Sequence, residues 1–333
     1  MTDGLYVLAN DAVYDQLVAI LNSIEVNVGE DCPVCVIPYD DRVDRVREET
    51  QRRQNLSLFD DAEAMAKWDN FVNQSWQTRS NAISYWEGQG ETGVYRKGFY
   101  RCLYSFDGPF DRFVYLDADV LVMNSLDIMF NKLNQTDFVV YDFQYKHPNH
   151  VYDLNSPKLY EVFPKERIDQ EVFCTGLFAS KKGLFDAERC QWLLEQLKSG
   201  EGEILYPQCA DQPLLNYMVM KLGISSCNLT FEVSDQERTG NCVTSPHFEE
   251  RDGVLYDQGK RLTYLHYIGI SSKLIRQVCA GQNLEFPYRD LFLHYRFLHE
   301  PDQRPSFTGK PKPYSQSPGM MKKIFKKLGL QGS

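Results

Sequence analysis

No stretch of this 333-residue chain approaches the roughly 18 uncharged apolar residues that a membrane-spanning helix requires. The opening Met1-Thr2-Asp3-Gly4 runs straight into a strand-like segment without an apolar leader, so a cytoplasmic protein is expected. Positive charge is not in excess. The net charge is −10, which argues against a general nucleic-acid binder, and no nucleic-acid partner is expected. Cysteines stand singly except Cys32 and Cys35, and their odd count of nine in a chain without a leader makes free thiols the default. No internal repeat is found. What is present is ample core material: 43% hydrophobic, 13% aromatic and 25% charged residues. That composition excludes wholesale disorder, a collagen-like chain and a small disulfide scaffold.

Charge is unevenly placed. Gln303–Ser333 holds seven basic residues and no acid, so the body before it is more acidic than the whole chain. Within this end, Met321, Ile324, Phe325 and Leu328 fall on one helical face and Lys322, Lys323, Lys326 and Lys327 on the other. A basic amphipathic helix suits an anionic membrane surface, and a solvated terminal helix is the other reading. Pro301–Gly319 carries five prolines and few apolar residues, the composition of a flexible connector. The expected domain plan is one large body over 1–300, a Pro-rich linker over 301–319 and a basic amphipathic tail over 320–333.

Apolar runs at Leu5–Ala9, Val34–Pro38, Phe113–Leu116, Phe138–Tyr141, Val172–Ala179 and Leu262–Ile268 read as strands. Helical spacing is found from Val13 to Ile24 behind an Asn10-Asp11 cap, and over Asp60–Trp76, Tyr95–Leu103, Phe185–Leu197 and Gln212–Leu222. Strands alternating with helices predict an α/β fold with a largely parallel or mixed sheet.

The strongest local signal is Phe113-Val-Tyr-Leu-Asp117-Ala-Asp119-Val-Leu-Val. Two carboxylates stand two residues apart, just beyond the C-terminal end of an apolar strand. In open α/β sheets that edge binds ligands. Hard carboxylate oxygens there suit a divalent cation with coordination positions left for a substrate's phosphates. The same residues fit a haloacid-dehalogenase-like phosphatase, with Asp117 as nucleophile and Asp119 as acid/base, although that motif normally opens its chain. Leu265-His266-Tyr-Ile-Gly269-Ile-Ser-Ser-Lys273 sets a His at a strand end, where imidazole can complete a site begun by two carboxylates. Its Gly lets backbone approach a diphosphate, and its Lys can neutralise charge. Asp211-Gln212-Pro-Leu-Leu-Asn216 opens a helix with polar groups, which a plain N-cap would also do.

Taken together these motifs resemble the glycosyltransferase family 8 type of GT-A sugar transferases, the family of glycogenin and of bacterial lipooligosaccharide galactosyltransferases. The resemblance spans roughly residues 4–290. It implies a GT-A fold, a single nucleotide-sugar-binding Rossmann-like mixed sheet flanked by helices, and retaining transfer of glucose or galactose from a UDP-sugar. Leu8-Ala-Asn10-Asp11 matches the family's first strand and nucleoside-contacting turn. Tyr95-Arg96-Lys97 resembles its basic site beside the donor, with Lys97 in register, and Ala118 lies between the two acids. By resemblance Asp117, Asp119 and His266 hold Mn²⁺ or Mg²⁺, Gly269 and Lys273 meet the diphosphate, and Asp211 and Gln212 stand beside the anomeric carbon. Val172-Phe-Cys-Thr-Gly176 is similar to the family's Phe-Asn-x-Gly strand, with Cys174 where Asn is usual. Lys273 stands seven residues after the His, where six is usual, and the aromatic after Asn-Asp is displaced to Tyr14. Asp142 is an acceptor-side candidate. The implied partners are a nucleotide-sugar donor and a glycan, lipid-linked or small-molecule acceptor, the lipid-linked one favoured if the tail docks at the inner face of a membrane.

A catalytically inactive nucleotide-sugar-binding protein is the non-enzymatic alternative. Gly88-x-Gly90-x-x-Gly93 fits a dinucleotide fingerprint only literally, since no strand precedes it, and reads as a loop. Cys32-Pro-Val-Cys35 lacks a second pair and reads as structural, and His147-Pro-Asn-His150 reads as a surface loop. Deleting Gln303–Ser333 is expected to release the protein from anionic liposomes without loss of donor hydrolysis, as measured by co-sedimentation. Unchanged liposome binding would refute the tail reading.

Overall fold

The computed structural model describes residues 1–313. The basic tail over 320–333 lies outside the described residues. A seven-stranded mixed sheet forms the centre, with β1 (Asp3–Ala9), β2 (Val34–Pro38), β3 (Leu56–Leu58) and β4 (Arg112–Asp117) parallel to one another. β5 (Val120–Val122) leaves this sheet, whereas β6 (Phe138–Val140), β7 (Leu177–Lys181) and β8 (Ser226–Asn228) extend it. The order is β3-β2-β1-β4-β7-β6-β8, with β7 antiparallel to both β4 and β6, and β8 parallel to β6. β9 (Glu249–Arg251), β10 (Val254–Asp257) and β11 (Lys260–Arg261) form a small antiparallel sheet, and β12 (Tyr264–His266) pairs antiparallel with β5.

Burial of both sheet faces follows from the run-on apolar strands. Along β1, Tyr6 and Leu8 join one core cluster while Leu5, Val7 and Ala9 join the other. A parallel strand covered on both faces needs such a run rather than a polar–apolar alternation. On one face Phe106, Phe113, Tyr115, Phe138 and Phe178 form a continuous aromatic layer, with Tyr115 and Phe178 stacked at 5.0 Å. The helix Tyr14–Asn27 covers the other face and is itself covered by the helix Arg289–Arg296. Two of its polar side chains find partners there: Asn22 Nδ2 donates to the Tyr295 carbonyl at 2.6 Å and Asn27 Nδ2 to the Tyr295 hydroxyl at 2.9 Å.

Three segments differ from the sequence expectation. Tyr95–Leu103 is not an α-helix: Arg96 takes a left-handed backbone (φ 48°) and a 3₁₀ run follows over Lys97–Phe106. Val172–Gly176 is not strand, because side chains occupy its backbone polar groups. Asn216 accepts from Phe173 N and donates to Phe173 O, both at 2.9 Å, and Gln212 Oε1 accepts from Thr175 N at 3.4 Å. The expected Leu262–Ile268 strand is limited to β12.

The described part of the 301–319 connector is held to the body. Lys312 exchanges backbone hydrogen bonds with the 283–285 segment, donating to Asn283 O and accepting from Glu285 N, both at 2.9 Å. A deletion that spares the body therefore begins after Pro313.

Trp68 is fully buried, edge-on to Phe71 and Phe185, and its indole Nε1 has no hydrogen-bond partner. Trp68→Phe removes that unsatisfied donor together with part of the ring and is expected to cost less than about 1.5 kcal/mol. Trp68→Ala opens a cavity and should cost about 3–5 kcal/mol. Urea denaturation of the two variants measures the difference.

Candidate functional site

β1 leads outward to β2 and β3, and the chain then returns to the other side of β1 as β4. Where strand order reverses in this way, the helices on either side diverge and leave a crevice at the C-terminal strand ends. Leu8 and Asn10 at the end of β1 and Asp117 at the end of β4 border a cleft of about 530 Å³ there. Ala118, Asp119, Gly269, Ser271 and Ser272 line it from one side, and Tyr39, Arg42, Arg96 and Phe99 from the other.

The antiparallel register of β5 with β12 sets His266 opposite Val120, beside Asp119. The carboxylates of Asp117 and Asp119 and the imidazole of His266 consequently offer ligand atoms that all lie within 4.8 Å of one another. His266 Nε2 stands 3.2 Å from Asp119 Oδ1. That oxygen is buried and accepts no hydrogen bond, whereas Asp117 Oδ1 accepts from the Tyr115 hydroxyl at 2.7 Å. A buried carboxylate oxygen without a donor is costly unless a cation occupies its lone pairs. Two carboxylates and one imidazole are a fitting donor set for Mn²⁺ or Mg²⁺. Among the described residues no other group of three acidic, His or Cys side chains meets this spacing.

The electrostatics agree with the donor set. Burial raises the Asp117 carboxyl above its ordinary range, reinforced by the negative charges of Asp119 and Asp211. For His266, burial opposes the charged ring, but the Asp119 carboxylate and the Cys174 thiol together carry its pKa well above the ordinary value. A divalent ion reverses this balance, favouring ionised carboxylates and a neutral imidazole.

Gly176 is required by close approach. A Cβ there would lie 2.5 Å from His266 Cε1, and the Gly176 carbonyl accepts from Asp117 N at 2.9 Å. Cys174, two residues earlier, acts on the same imidazole and raises its pKa. Gly269 adopts φ 82°, a conformation that side-chain-bearing residues avoid, so the turn between His266 and the helix Ser272–Cys279 needs glycine.

Asp211 is the first residue of the helix Asp211–Lys221. Burial pushes its carboxyl up to about 6, against the Thr175 hydroxyl, the N–H groups at its helix start and the Arg79 cation, which pull it down. Its Oδ2 contacts the Cys102 thiol at 4.0 Å, and its charge acts on Asp117. The loop before it is fixed from outside: Trp86, stacked on Tyr95 with ring centroids 3.4 Å apart, donates its Nε1–H to the Pro207 carbonyl at 2.9 Å. Asp142 is buried, with Oδ2 unpartnered and its carboxyl pushed by burial up to about 7.

Other expected residues are placed differently. Asp11 does not line the cleft; its carboxylate accepts from Asp44 N at 3.0 Å and Val46 N at 3.2 Å, capping the helix Asp44–Arg52. Lys97 is ion-paired with Asp69 at 2.8 Å, and the neighbouring Arg96 lines the cleft instead. Lys273 is exposed in the first turn of its helix, outside the cleft lining to which Ser271 and Ser272 contribute. Gln212 spends its amide oxygen on Thr175. The sequence reading missed Arg96, Tyr39 and Phe99. The Tyr95-Arg96-Lys97 pair of cations was the available signal for Arg96, and the left-handed backbone that separates the two cannot be read from residue types.

The chain matches no protein-family model and no curated protein. Among solved structures, the bifunctional glycosyltransferase WbbM superposes on 91% of this chain at TM-score 0.53 and 14% identity. Only 52% of WbbM is covered, so this chain spans about half the length of that relative. The galactosyltransferase LgtC, in complex with donor and acceptor sugar analogs, gives TM-score 0.49 and 13% identity over 87% of this chain and 99% of its own. Mouse xyloside xylosyltransferase 1 gives 0.47 and 12% over 68% and 85%. The fold is GT-A, and the WbbM superposition carries that assignment.

Gly176→Ala is expected to push the His266 ring off its position and weaken Mn²⁺ binding about tenfold or more, with the fold retained. Calorimetric Mn²⁺ titration, beside a melting curve, measures it; unchanged affinity would show that His266 is not a ligand.

Proposed function

We propose that this protein is a metal-dependent, retaining hexosyltransferase of family 8 type that moves glucose or galactose from a UDP-sugar to a glycan, lipid-linked or small-molecule acceptor. The carrying observation is the convergence of Asp117, Asp119 and His266, one carboxylate oxygen buried without a hydrogen bond, at the strand-order reversal of a GT-A sheet. A glycosyltransferase sheet around Asp117 favours transfer over the phosphatase alternative.

Donor transfer needs three things from the chain: a seat for the nucleotide, stabilisation of a departing diphosphate, and a group beside the anomeric carbon. Leu8, Asn10, Tyr39 and Phe99 offer the seat, with apolar and aromatic walls for a base and polar groups for a ribose. Mn²⁺ or Mg²⁺ held by Asp117, Asp119 and His266 would stabilise negative charge as it develops on the diphosphate. The backbone at Gly269 allows phosphate oxygens to approach closely, and Arg96 brings a cation to the same cleft. Asp211 is the group beside the sugar, and with its carboxyl near 6 it is ionised at neutral pH. Gln212 ties the start of that helix to the Phe173–Gly176 segment. Asp142 faces the acceptor side.

The acceptor follows from the remaining chain. A basic tail on an acidic body suits an anionic membrane face, which favours a lipid-linked acceptor and a peripheral, cytoplasmic location. All nine cysteines are free, in keeping with a reducing compartment.

The test is thermal stability with UDP-, GDP- and ADP-sugars, each with and without Mn²⁺. Mass action predicts a rise of about 5 °C at a hundredfold excess over Kd, for a UDP-hexose and only with Mn²⁺. Asp119→Asn should abolish both that rise and donor turnover while keeping the unliganded melting temperature near that of the parent. No rise with any nucleotide would overturn the reading.

A further inference from the structure

Arg79, between the helices Ala62–Trp76 and Ser80–Glu87, is 1% exposed. Its guanidinium donates to four acceptors: Nη1 to the Tyr100 hydroxyl at 2.9 Å and the Ala210 carbonyl at 3.3 Å, Nη2 to the Tyr206 carbonyl at 2.8 Å and the Cys209 carbonyl at 3.3 Å. Three of the four belong to the loop that ends at Asp211. Among the described residues no carboxylate lies within ion-pair distance of it, and its Nε–H is buried without a partner. A neutral amide could hold two carbonyls at a lower desolvation cost. A permanently charged group sealed beside one loop, one donor unsatisfied, indicates that its charge is used.

The field of that charge falls on Asp211. The other titratable groups whose charge couples to this carboxylate are Asp117, Cys102, Cys209, Tyr39, Tyr100 and Tyr115. The thiols and phenols among them are held neutral by burial, and Asp117 is of like sign. The Thr175 hydroxyl and the helix-start N–H groups oppose burial of Asp211 most, and the Arg79 cation adds to them.

We propose that Arg79 is a positioning residue: through its four hydrogen bonds it fixes the Tyr206–Ala210 loop, and so the direction of the Asp211 carboxylate, and it sets a buried positive charge beside that loop. The catalytic part of this inference rests on the reading of Asp211 as the group beside the anomeric carbon.

The experiment compares full-length Arg79→Lys, Arg79→Met and Asp211→Asn with the parent. In unliganded protein with ¹³C-labelled aspartate, the Asp211 carboxyl resonance, assigned by its loss in Asp211→Asn, is titrated directly. Arg79→Met should move its midpoint up, and Arg79→Lys should restore most of the parent value. In turnover, Arg79→Met should lower kcat about a hundredfold and shift the acidic limb of its pH profile by the same amount. Mn²⁺-dependent UDP affinity should stay within about threefold, and Arg79→Met should add nothing to Asp211→Asn. If Arg79→Met does not fold, Arg79→Lys carries the test: it should keep the titration midpoint while losing kcat through the displaced loop. An unmoved midpoint in Arg79→Met, or equal losses in kcat and UDP affinity in either variant, overturns the proposal. A shifted midpoint in a protein that turns over no nucleotide-sugar overturns the transferase reading alone.

Discussion

The site depends on a three-residue strand pairing. β5 begins one residue after Asp119 and β12 ends on His266, so their antiparallel register alone decides whether the imidazole reaches the carboxylates. A slip of one residue would turn His266 to the opposite face. Backbone bonds flank the pair: Tyr267 N donates to the Asp119 carbonyl at 2.8 Å, and Met123 N to the Thr263 carbonyl at 2.9 Å. Gly176 then leaves room for the ring from the far side. The three contributing segments are far apart in sequence, and each is anchored by contacts other than the site itself.

The same economy governs the second half of the site. The Phe173–Gly176 segment is not held by a strand ladder but by two amides of one helix, Gln212 and Asn216. Because this helix also begins with Asp211, the segment bearing Gly176 and the helix bearing the candidate catalytic carboxylate move as one body. The Gly176 and Asp211 sides of the cleft are thus joined through hydrogen bonds of one helix.

What the sequence revealed and what it concealed divide along a physical line. Asp117 and Asp119 were legible because a continuous apolar strand ending in acids has few other uses, and the His266–Gly269 spacing because a strand end and a left-handed glycine both leave marks in residue type. The placements of Lys97 and Lys273 were not, because long cations choose partners by tertiary proximity. Lys97 has Asp69, a residue on the helix Ala62–Trp76 that no motif connects to it. Arg79 was silent for the same reason: its acceptors are carbonyls, which every residue carries. The Val172–Ala179 run is strand from Leu177 on, whereas ahead of it side-chain amides bonded to Phe173 and Thr175 replace the ladder.

The stacked pair of Trp86 and Tyr95 has a use beyond holding the loop. Trp86 binds the Pro207 carbonyl directly, whereas Trp68 and Trp76 are sealed in the interior and Trp192 lies at the surface of another helix. Movement of the loop ahead of Asp211 must break this indole hydrogen bond or slide one ring over the other. The molecule therefore carries an intrinsic fluorophore coupled to that loop, and its emission reports any displacement of the loop in solution without a label.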